Sequence, residues 1–346
     1  MTSSAGTDPR TSSEARGSRS STGRGRRIAL LLAQRIVQIP LVLLAVSVLT
    51  FWLVQIVPGD PGRNALGPYA TDAQVAAWDA DNGLAGPIWA RYLGWLAGFV
   101  TGHWGESFVY QTADAPLVLG SLANSAQLGL VAFVLMVPIS VLLGTIQAYR
   151  EGRRSDRVIT IGLMAISSIP EFVVGVLLLL VFAVWIHVVP VQSGLAATGD
   201  PAQRLQALIL PAVVLAVAYL AVLTRMVRTG TSGAITSQYH RTAVLKGLGP
   251  VAIVLRHVAR NALVPTLSLL GLYFGALLGG SAIVETLFNY PGLGALLVVA
   301  AERKDALLLT DGVMVTGAVS LLTLLLTDVC LILMDPRISF ERTDRR

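Results

Sequence analysis

Apolar residues fall in long blocks along this chain, without the alternation or narrow stripe of a half-buried soluble element. Six blocks, at 36–57, 121–149, 158–187, 207–227, 262–284 and 310–334, are candidates for spanning helices. A helix rises about 1.5 Å per residue and the hydrocarbon core of a bilayer is roughly 30 Å thick, so one crossing needs about 20 mostly apolar residues. The pattern predicts an all-α integral membrane protein with six transmembrane helices. The third block contains Pro170 and reads either as two re-entrant pieces hinged there or as one long crossing. Its basic start and its Val188-Val189-Pro190 end fit one crossing.

Polar positions between the blocks set the orientation. Lys and Arg concentrate before residue 36, at 150–157, at 228–260 and after residue 334, whereas 58–120 and 188–206 hold only Arg63, Arg91 and Arg204. Basic loops stay inside, so both termini are expected in the cytoplasm. Segment 58–120 is then a long extracytoplasmic loop. Its Asp60, Asp72, Asp79, Asp81, Glu106 and Asp114 give it a negative character suited to docking something outside. Trp89, Tyr92, Leu93, Leu96 and Phe99 recur there at helical spacing and are expected mainly to pack, with aromatics at the headgroup level.

Composition narrows the class. Hydrophobic residues make up 54% and charged residues 13%, against about 25% charged in an ordinary soluble domain, and the mean hydropathy is +0.68. The net charge of +6 would suggest nucleic acid in a soluble protein; here it belongs to the loops that orient the chain, and no nucleic-acid partner is expected. Cys330 lies alone in an apolar run, so no disulfide framework exists. Residues 1–27, rich in Ser, Thr, Gly and Arg, lack the apolar residues to form a core; a disordered cytoplasmic tail touching anionic lipid is expected, with a second short tail at 341–346. The first apolar block is long enough to span and no A-x-A-like site follows it, so it reads as an anchor rather than a cleaved signal.

The insert at 229–261 departs from this pattern. From 238 to 265 it carries basic residues and no Asp or Glu. Residues 234–246 read as a short helix stopped by Gly247, with Gly249-Pro250 turning into a second helix. Tyr239, Ala243 and Lys246 or Gly247 share one face at four-residue spacing. Small residues beside one aromatic suit close entry into another protein's groove; a basic helix resting on lipid headgroups is the alternative.

Within that helix, Arg241-Thr242-Ala243, then Val244-Leu245-Lys246, then Gly247 resemble the coupling motif of ABC importer permeases, which reads roughly Glu-Ala-Ala, three residues, Gly. The Arg-Thr-Ala form, followed by Arg256-His257 and by Arg260 to Pro265, is similar to the dipeptide/oligopeptide/nickel branch of binding-protein-dependent importers. PGDP at 58–61, RYLGWLAGFVTGHWGESF at 91–108, SSIPEF at 167–172, GGSAIVETLFNYPGLGALL at 279–297 and DPRI at 335–338 agree with that branch, in order, from about residue 35 to 340. The tail before residue 28 is longer than the branch usually has, and Gln238 and His240 stand where an acidic and an apolar residue are common.

The resemblance implies a type I ABC importer permease fold in the inner (plasma) membrane of a prokaryote. Residues 28–120 would form the first transmembrane helix and outer loop, and 121–340 the permease core. It implies a second similar permease, two cytoplasmic ATPase subunits or domains, an extracytoplasmic solute-binding protein and, among peptides, nickel and glutathione-like ligands, a peptide cargo. Tyr239, Arg241, Thr242, Ala243, Lys246, Gly247 and Leu248 would meet the ATPase. No G-x-x-x-x-G-K-[ST] occurs, so ATP and Mg2+ are expected in the partner and no cofactor in this chain.

Inside the spans, Glu171 reads as the only deep acid, at a cost of at least a few kcal/mol if charged. Pro170 donates no backbone hydrogen bond, which would leave the carbonyl of Ile166 free, and Ser167 and Ser168 add hydroxyls to the same patch. Glu171 with Ser168 and Pro170 either lines an aqueous path or is a carboxyl gluing this helix to the partner permease. Gly271, Gly275 and Gly279 form a smooth stripe for close packing, between subunits or within the chain. Glu285, Asn289, Tyr290, Pro291 and Gly292 form a turn before a short helix at 293–301 folded over the outer mouth. That region resembles the family's outer gate; an ordinary capping loop is the alternative.

A membrane enzyme would need a constellation, yet His103, His187, His240 and His257 are scattered, and neither H-E-x-x-H nor G-x-S-x-G occurs, so neither a catalytic set nor a metal site is expected. An ion-driven carrier, the lesser alternative, usually shows repeated halves and more buried charge. A left-handed non-glycine residue costs roughly 1 kcal/mol or more. Gly247→Ile is therefore expected to leave the protein inserted while abolishing uptake, and normal substrate-stimulated ATP turnover in that variant would refute the coupling assignment.

Overall fold

The computed structural model describes residues 11–56, 60–190, 193–194, 200–238, 242, 245–246 and 259–334. Helix α1 (Thr11–Ile56) leads into a compact set of short elements: α2 (Pro61–Leu66), α3 (Asp72–Asp81), α4 (Ile88–Thr101), and a two-stranded antiparallel ladder of β1 (Glu106–Ser107) and β2 (Thr112–Ala113). Then come α5 (Asp114–Tyr149), α6 (Arg154–Ser167), α7 (Glu171–Leu178) with a π-helical continuation (Leu179–Trp185), and α8 (Pro201–Ile235). The chain closes with α9 (Ala259–Leu278), α10 (Ala282–Leu287), α11 (Leu293–Arg303) and α12 (Ala306–Met334). Among the described residues five helices are long and apolar enough to cross a membrane, six if the bent pair of α6 and α7 is one span. The end of the bundle bearing residues 60–113 is termed the loop end and the opposite one the basic end.

Local chemistry starts and stops these helices. Asp60 caps α2 by accepting from the Arg63 N–H at 3.2 Å, with Pro61 at the first helical position. Thr71 with Gln74 on α3, and Asp200 with Gln203 on α8, form reciprocal capping boxes.

Helix α8 is the axis of the bundle. Its most apolar window is 61% buried, against 11–28% for the other four long helices, whose apolar faces turn outward. Leu208, Val214, Leu215 and Leu223 of α8 pack with Leu128, Ala132 and Met136 of α5, Leu277 of α9 and the residues Phe288 and Tyr290. The approach of α5 to α8 depends on Gly144, where an added Cβ would fall 2.7 Å from the Thr224 carbonyl. On α9, Gly271, Gly275 and Gly279 face Thr327, Thr323 and Thr316 of α12 in antiparallel order. The hydroxyls of those threonines bond back to Thr323, Val319 and Gly312 carbonyls of their own helix at 2.8, 2.8 and 2.9 Å, and their side chains fill the space a Cβ would need at each glycine. The stripe thus packs within the chain.

Two spans differ from the apolar blocks. The third is sharply bent, as a broken span or a re-entrant pair: α6 and α7 meet at 98° around Pro170. Pro170, at φ −57° and ψ 142°, is extended and starts a new helix, which a sequence pattern blind to backbone angle does not reveal. Nor is the Ile166 carbonyl free, because the Ile169 N–H donates to it at 3.1 Å. The fifth block also breaks early, at Gly279-Gly280, and restarts as α10 under a Ser281 cap. At the other extreme, α1 begins at Thr11, so much of the tail expected without structure continues a helix; extending a formed helix is far easier than nucleating one.

Charges are also placed differently from the linear reading. Glu171 is not the only acid within a span: Asp311 of α12 is fully buried and Asp328 lies further along the same helix. Of the loop acids, Asp114 is fully buried, while Asp60 and Asp72 pair with Arg63. Asp311 accepts from the Trp95 indole at 2.8 Å, close to the buried Asp114. Beside them Asp305 caps α12 and accepts from Ser107 Oγ at 2.6 Å. Burial raises its carboxyl above the usual range, opposed by those donors and the N–H of Val109 and Phe108. This acid group ties α4 and the ladder to the start of α5 and α12. The aromatic stripe of α4 buries Tyr92 and Trp95 against Phe51 of α1 and Met314 of α12, while Trp89 stays exposed against Trp52.

At the basic end, Arg35 of α1 donates to Asp328 of α12 through Nε at 3.0 Å and a terminal nitrogen at 2.5 Å. Losing one partner strands the other charge, at a cost on the order of 3 kcal/mol, whereas losing both does not. In detergent unfolding, Asp328→Leu is expected to be clearly less stable than the double variant Arg35→Leu/Asp328→Leu; equal stability would show the pair to be idle.

Candidate functional site

Three neighbourhoods hold the residues singled out by their sequence. The first is the bend between α6 and α7. Ser167 and Ser168 both donate their hydroxyls to the Met164 carbonyl, at 3.1 and 2.8 Å, satisfying the end of α6. Pro170 then turns the chain, and its carbonyl takes up the N–H groups of Val173 and Val174 at 3.0 and 3.2 Å. Glu171, half-buried in the first turn of α7, accepts from Ser281 Oγ at 3.5 Å. Ser281 Oγ also accepts the Val284 N–H at 3.3 Å, so one hydroxyl links the start of α7 to the start of α10. Tyr219 of α8 and Tyr273 of α9 lie with ring centroids 4.6 Å apart, and the charge of Glu171 reaches Tyr219. Ser281 was not legible as a partner of Glu171, because it lies 110 positions away along the chain.

The second neighbourhood is the hairpin of α10 and α11. Glu285 is fully buried. Its carboxylate accepts from Ser125 Oγ of α5 at 2.6 Å, from the Ala295 N–H at 3.0 Å and from Gly294. Ser125 in turn accepts the Leu293 N–H at 2.7 Å. Asn289 stands at φ 48° and reverses the chain. Tyr290 donates its hydroxyl to the Asn124 carbonyl at 2.7 Å, and the Asn124 amide donates to the Pro291 carbonyl at 2.8 Å. Burial, then the charge of Glu285, pushes the Tyr290 phenol well above its ordinary range. At Gly280, φ 85° and an approach of 2.8 Å from a hypothetical Cβ to Glu285 Oε1 leave no room for a side chain; Gly292 is also pressed against the carboxylate. Glu285, Asn289, Tyr290, Pro291 and Gly292 are thus brought together, as a knot around a buried carboxylate rather than as an open polar lip.

The third lies at the basic end, where α8 stops at Ile235 and, among the described residues that follow, Gln238, Thr242 and Leu245 are helical. The Lys246 N–H reaches the Thr242 carbonyl at 3.1 Å and Thr242 Oγ1 the Gln238 carbonyl at 3.0 Å, one helical turn apart each time. The helix expected at 234–246 is therefore two pieces, because Ala234 and Ile235 belong to α8 and the chain turns at Thr236 and Ser237. Leu245 is 87% exposed. Tyr239, Arg241, Ala243, Gly247 and Leu248 lie outside the described residues, as do residues 1–10 and 335–346.

Comparison with known proteins follows the same division. Residues 140–340 match the family described as binding-protein-dependent transport system inner membrane component, and residues 28–142 match the N-terminal part of the membrane component of such systems. A probable peptide ABC transporter permease protein of Sinorhizobium fredii is 31% identical over 90% of this chain and 100% of its own length. An oligopeptide transport system permease protein of Bacillus subtilis is 32% identical over 90% of this chain and 99% of its own. A di/tripeptide transport system permease protein of Pseudomonas aeruginosa is 30% identical over 86% and 95%. With two consecutive matches running from residue 28 to 340, on a bundle of five or six apolar helices, the chain belongs to the inner membrane components of binding-protein-dependent transport systems.

Proposed function

We infer that this chain is the permease subunit of an ATP-driven peptide importer and forms half of its translocation path. The observation that carries this is the end-to-end alignment with relatives named as peptide, oligopeptide and di/tripeptide permeases. A second, similar permease supplies the other half, packed on apolar faces that α5, α9 and α12 leave uncovered. Both termini and the basic end lie in the prokaryotic cytoplasm, in line with the Lys and Arg of 150–157 and 228–260. The loop end faces the solute-binding protein.

Two ATPase subunits or domains at the basic end hold ATP and Mg2+, and this chain holds no cofactor. The short helix after Ser237 presents an exposed Leu245 beside Thr242 and Lys246, an arrangement suited to a groove on such a partner. Only a contact that differs between the two ATPase states can drive the switch between inward and outward access. At the far end, the knot around Glu285 lets the α10–α11 hairpin move as one piece, as an outer gate requires.

Deleting the gene is expected to abolish accumulation of labelled di- and oligopeptides by whole cells, with full recovery on complementation; undiminished peptide accumulation would reject the cargo. Glu171 holds α7 to α10 through Ser281, so Glu171→Gln, which keeps the acceptor and removes only the charge, should retain uptake of every peptide tested. Glu171→Ala loses a bond worth about 1 kcal/mol and is expected to lower uptake about fivefold. Selective loss in the Gln variant of peptides bearing a free ammonium would instead place the carboxylate in the path.

A further inference from the structure

The turn between α5 and α6 is held to α8 by a partly buried charge pair that the functional reading above does not use. Asp156, 4% exposed in the first turn of α6, accepts from a terminal nitrogen of Arg228 at 2.9 Å and from the Gly152 N–H at 3.0 Å, both on Oδ2. Its Oδ1 faces the Gln147 amide at 3.4 Å, and that amide also donates to Thr160 at 2.8 Å. Glu151 lies 3.8 Å from the same Arg228 nitrogen and accepts from Ser232 at 3.3 Å. Six contacts therefore converge on this turn. At the same height Gly144 lets α5 touch the α8 backbone at Thr224, so the end of α5, the start of α6 and the last turns of α8 form one block.

The position of this block matters more than its stability. Arg228 sits seven residues before the end of α8 at Ile235, after which the short helix of the basic end begins. Asp156 sits at the opposite end of α6 from Ser167, about 17 Å along a straight helix, and beyond Ser167 lie the 98° bend, Glu171 and its bond to Ser281 of the hairpin. We propose that Arg228 and Asp156 are positioning residues that transmit movement of the short helix into α6, and through the Pro170 bend to the α10–α11 hairpin. A pair worth keeping only for stability has no need to lie between those two places. The proposal rests on the importer reading, in which an ATPase moves the short helix.

The test uses the complete transporter in proteoliposomes. Asp156→Asn keeps one acceptor oxygen, which can serve Gly152, and removes the charge; Arg228→Gln removes the other partner; the exchange Asp156→Arg/Arg228→Asp restores a pair of opposite hand. Both single variants are expected to assemble and hydrolyse ATP at near the normal rate, while peptide transported per ATP falls about tenfold, a coupling loss within the usual range. The exchange should recover a large part of it. Transport per ATP unchanged in the single variants, or an exchange no better than they are, overturns the proposal. A second readout is independent of cargo: nitroxides replacing the exposed Ile169 and Ile283 report the bend and the hairpin. Their ATP-driven change in separation should vanish in the single variants and return in the exchange. If that pattern appears while peptide is not transported even by the unmodified complex, the cargo assignment fails and the transmission stands; a wild-type change persisting in both single variants removes the transmission itself.

Discussion

A backbone N–H or C=O left unpaired in hydrocarbon costs several kcal/mol, and most features of this chain follow from meeting that demand wherever a helix stops inside the bundle. Three stops occur among the described residues and each has its own filler. At the end of α6, two serine hydroxyls turn back onto Met164. At the start of α10, Ser281 serves the Val284 N–H, and at the hairpin Glu285 serves the N–H groups of Ala295 and Gly294. Ser281 and Glu285 also bond to a second element, α7 and α5, so those two breaks are joints with defined partners rather than slack. A transporter needs such joints, because continuous helices offer only rigid-body tilts.

Between the joints the bundle is held by closeness rather than by water-driven collapse. Glycines on α9 admit the threonine side chains of α12, and Gly144 admits the α8 backbone. In lipid, contact area of this kind and a few charge pairs replace the hydrophobic effect as the source of cohesion. That accounts for the unequal burial of the helices: α8, in contact on several sides, is mostly enclosed, and the rest keep apolar faces for lipid or another subunit.

How much of this was legible in the chain depends on the range of the interaction. Length and apolarity located the five long apolar helices and the bent pair, and Asn289 to Gly292 marked the reversal before α11, because those signals are local. The break at Pro170 was visible as a choice between two shapes and not as an answer, since a proline kinks a helix or ends it according to what packs around it. The early stop at Gly280 was hidden inside an unbroken apolar block, and its reason, the carboxylate of Glu285, came from a residue counted as part of the following turn. Least legible were pairings across long separations. Ser125 with Glu285, Trp95 with Asp311 and Arg228 with Asp156 join residues 160, 216 and 72 positions apart, and a single sequence holds no trace of them.

The pair of Arg35 and Asp328 carries a consequence for biosynthesis. The two residues are 293 positions apart, so a ribosome adding about 5–20 residues per second delivers the acid roughly 15–60 s after the base. Throughout that interval the first helix is already in the bilayer with a guanidinium near its basic end and no carboxylate to receive it. A lipid phosphate is a natural temporary host for that charge, so the final docking of α1 has to wait for α12.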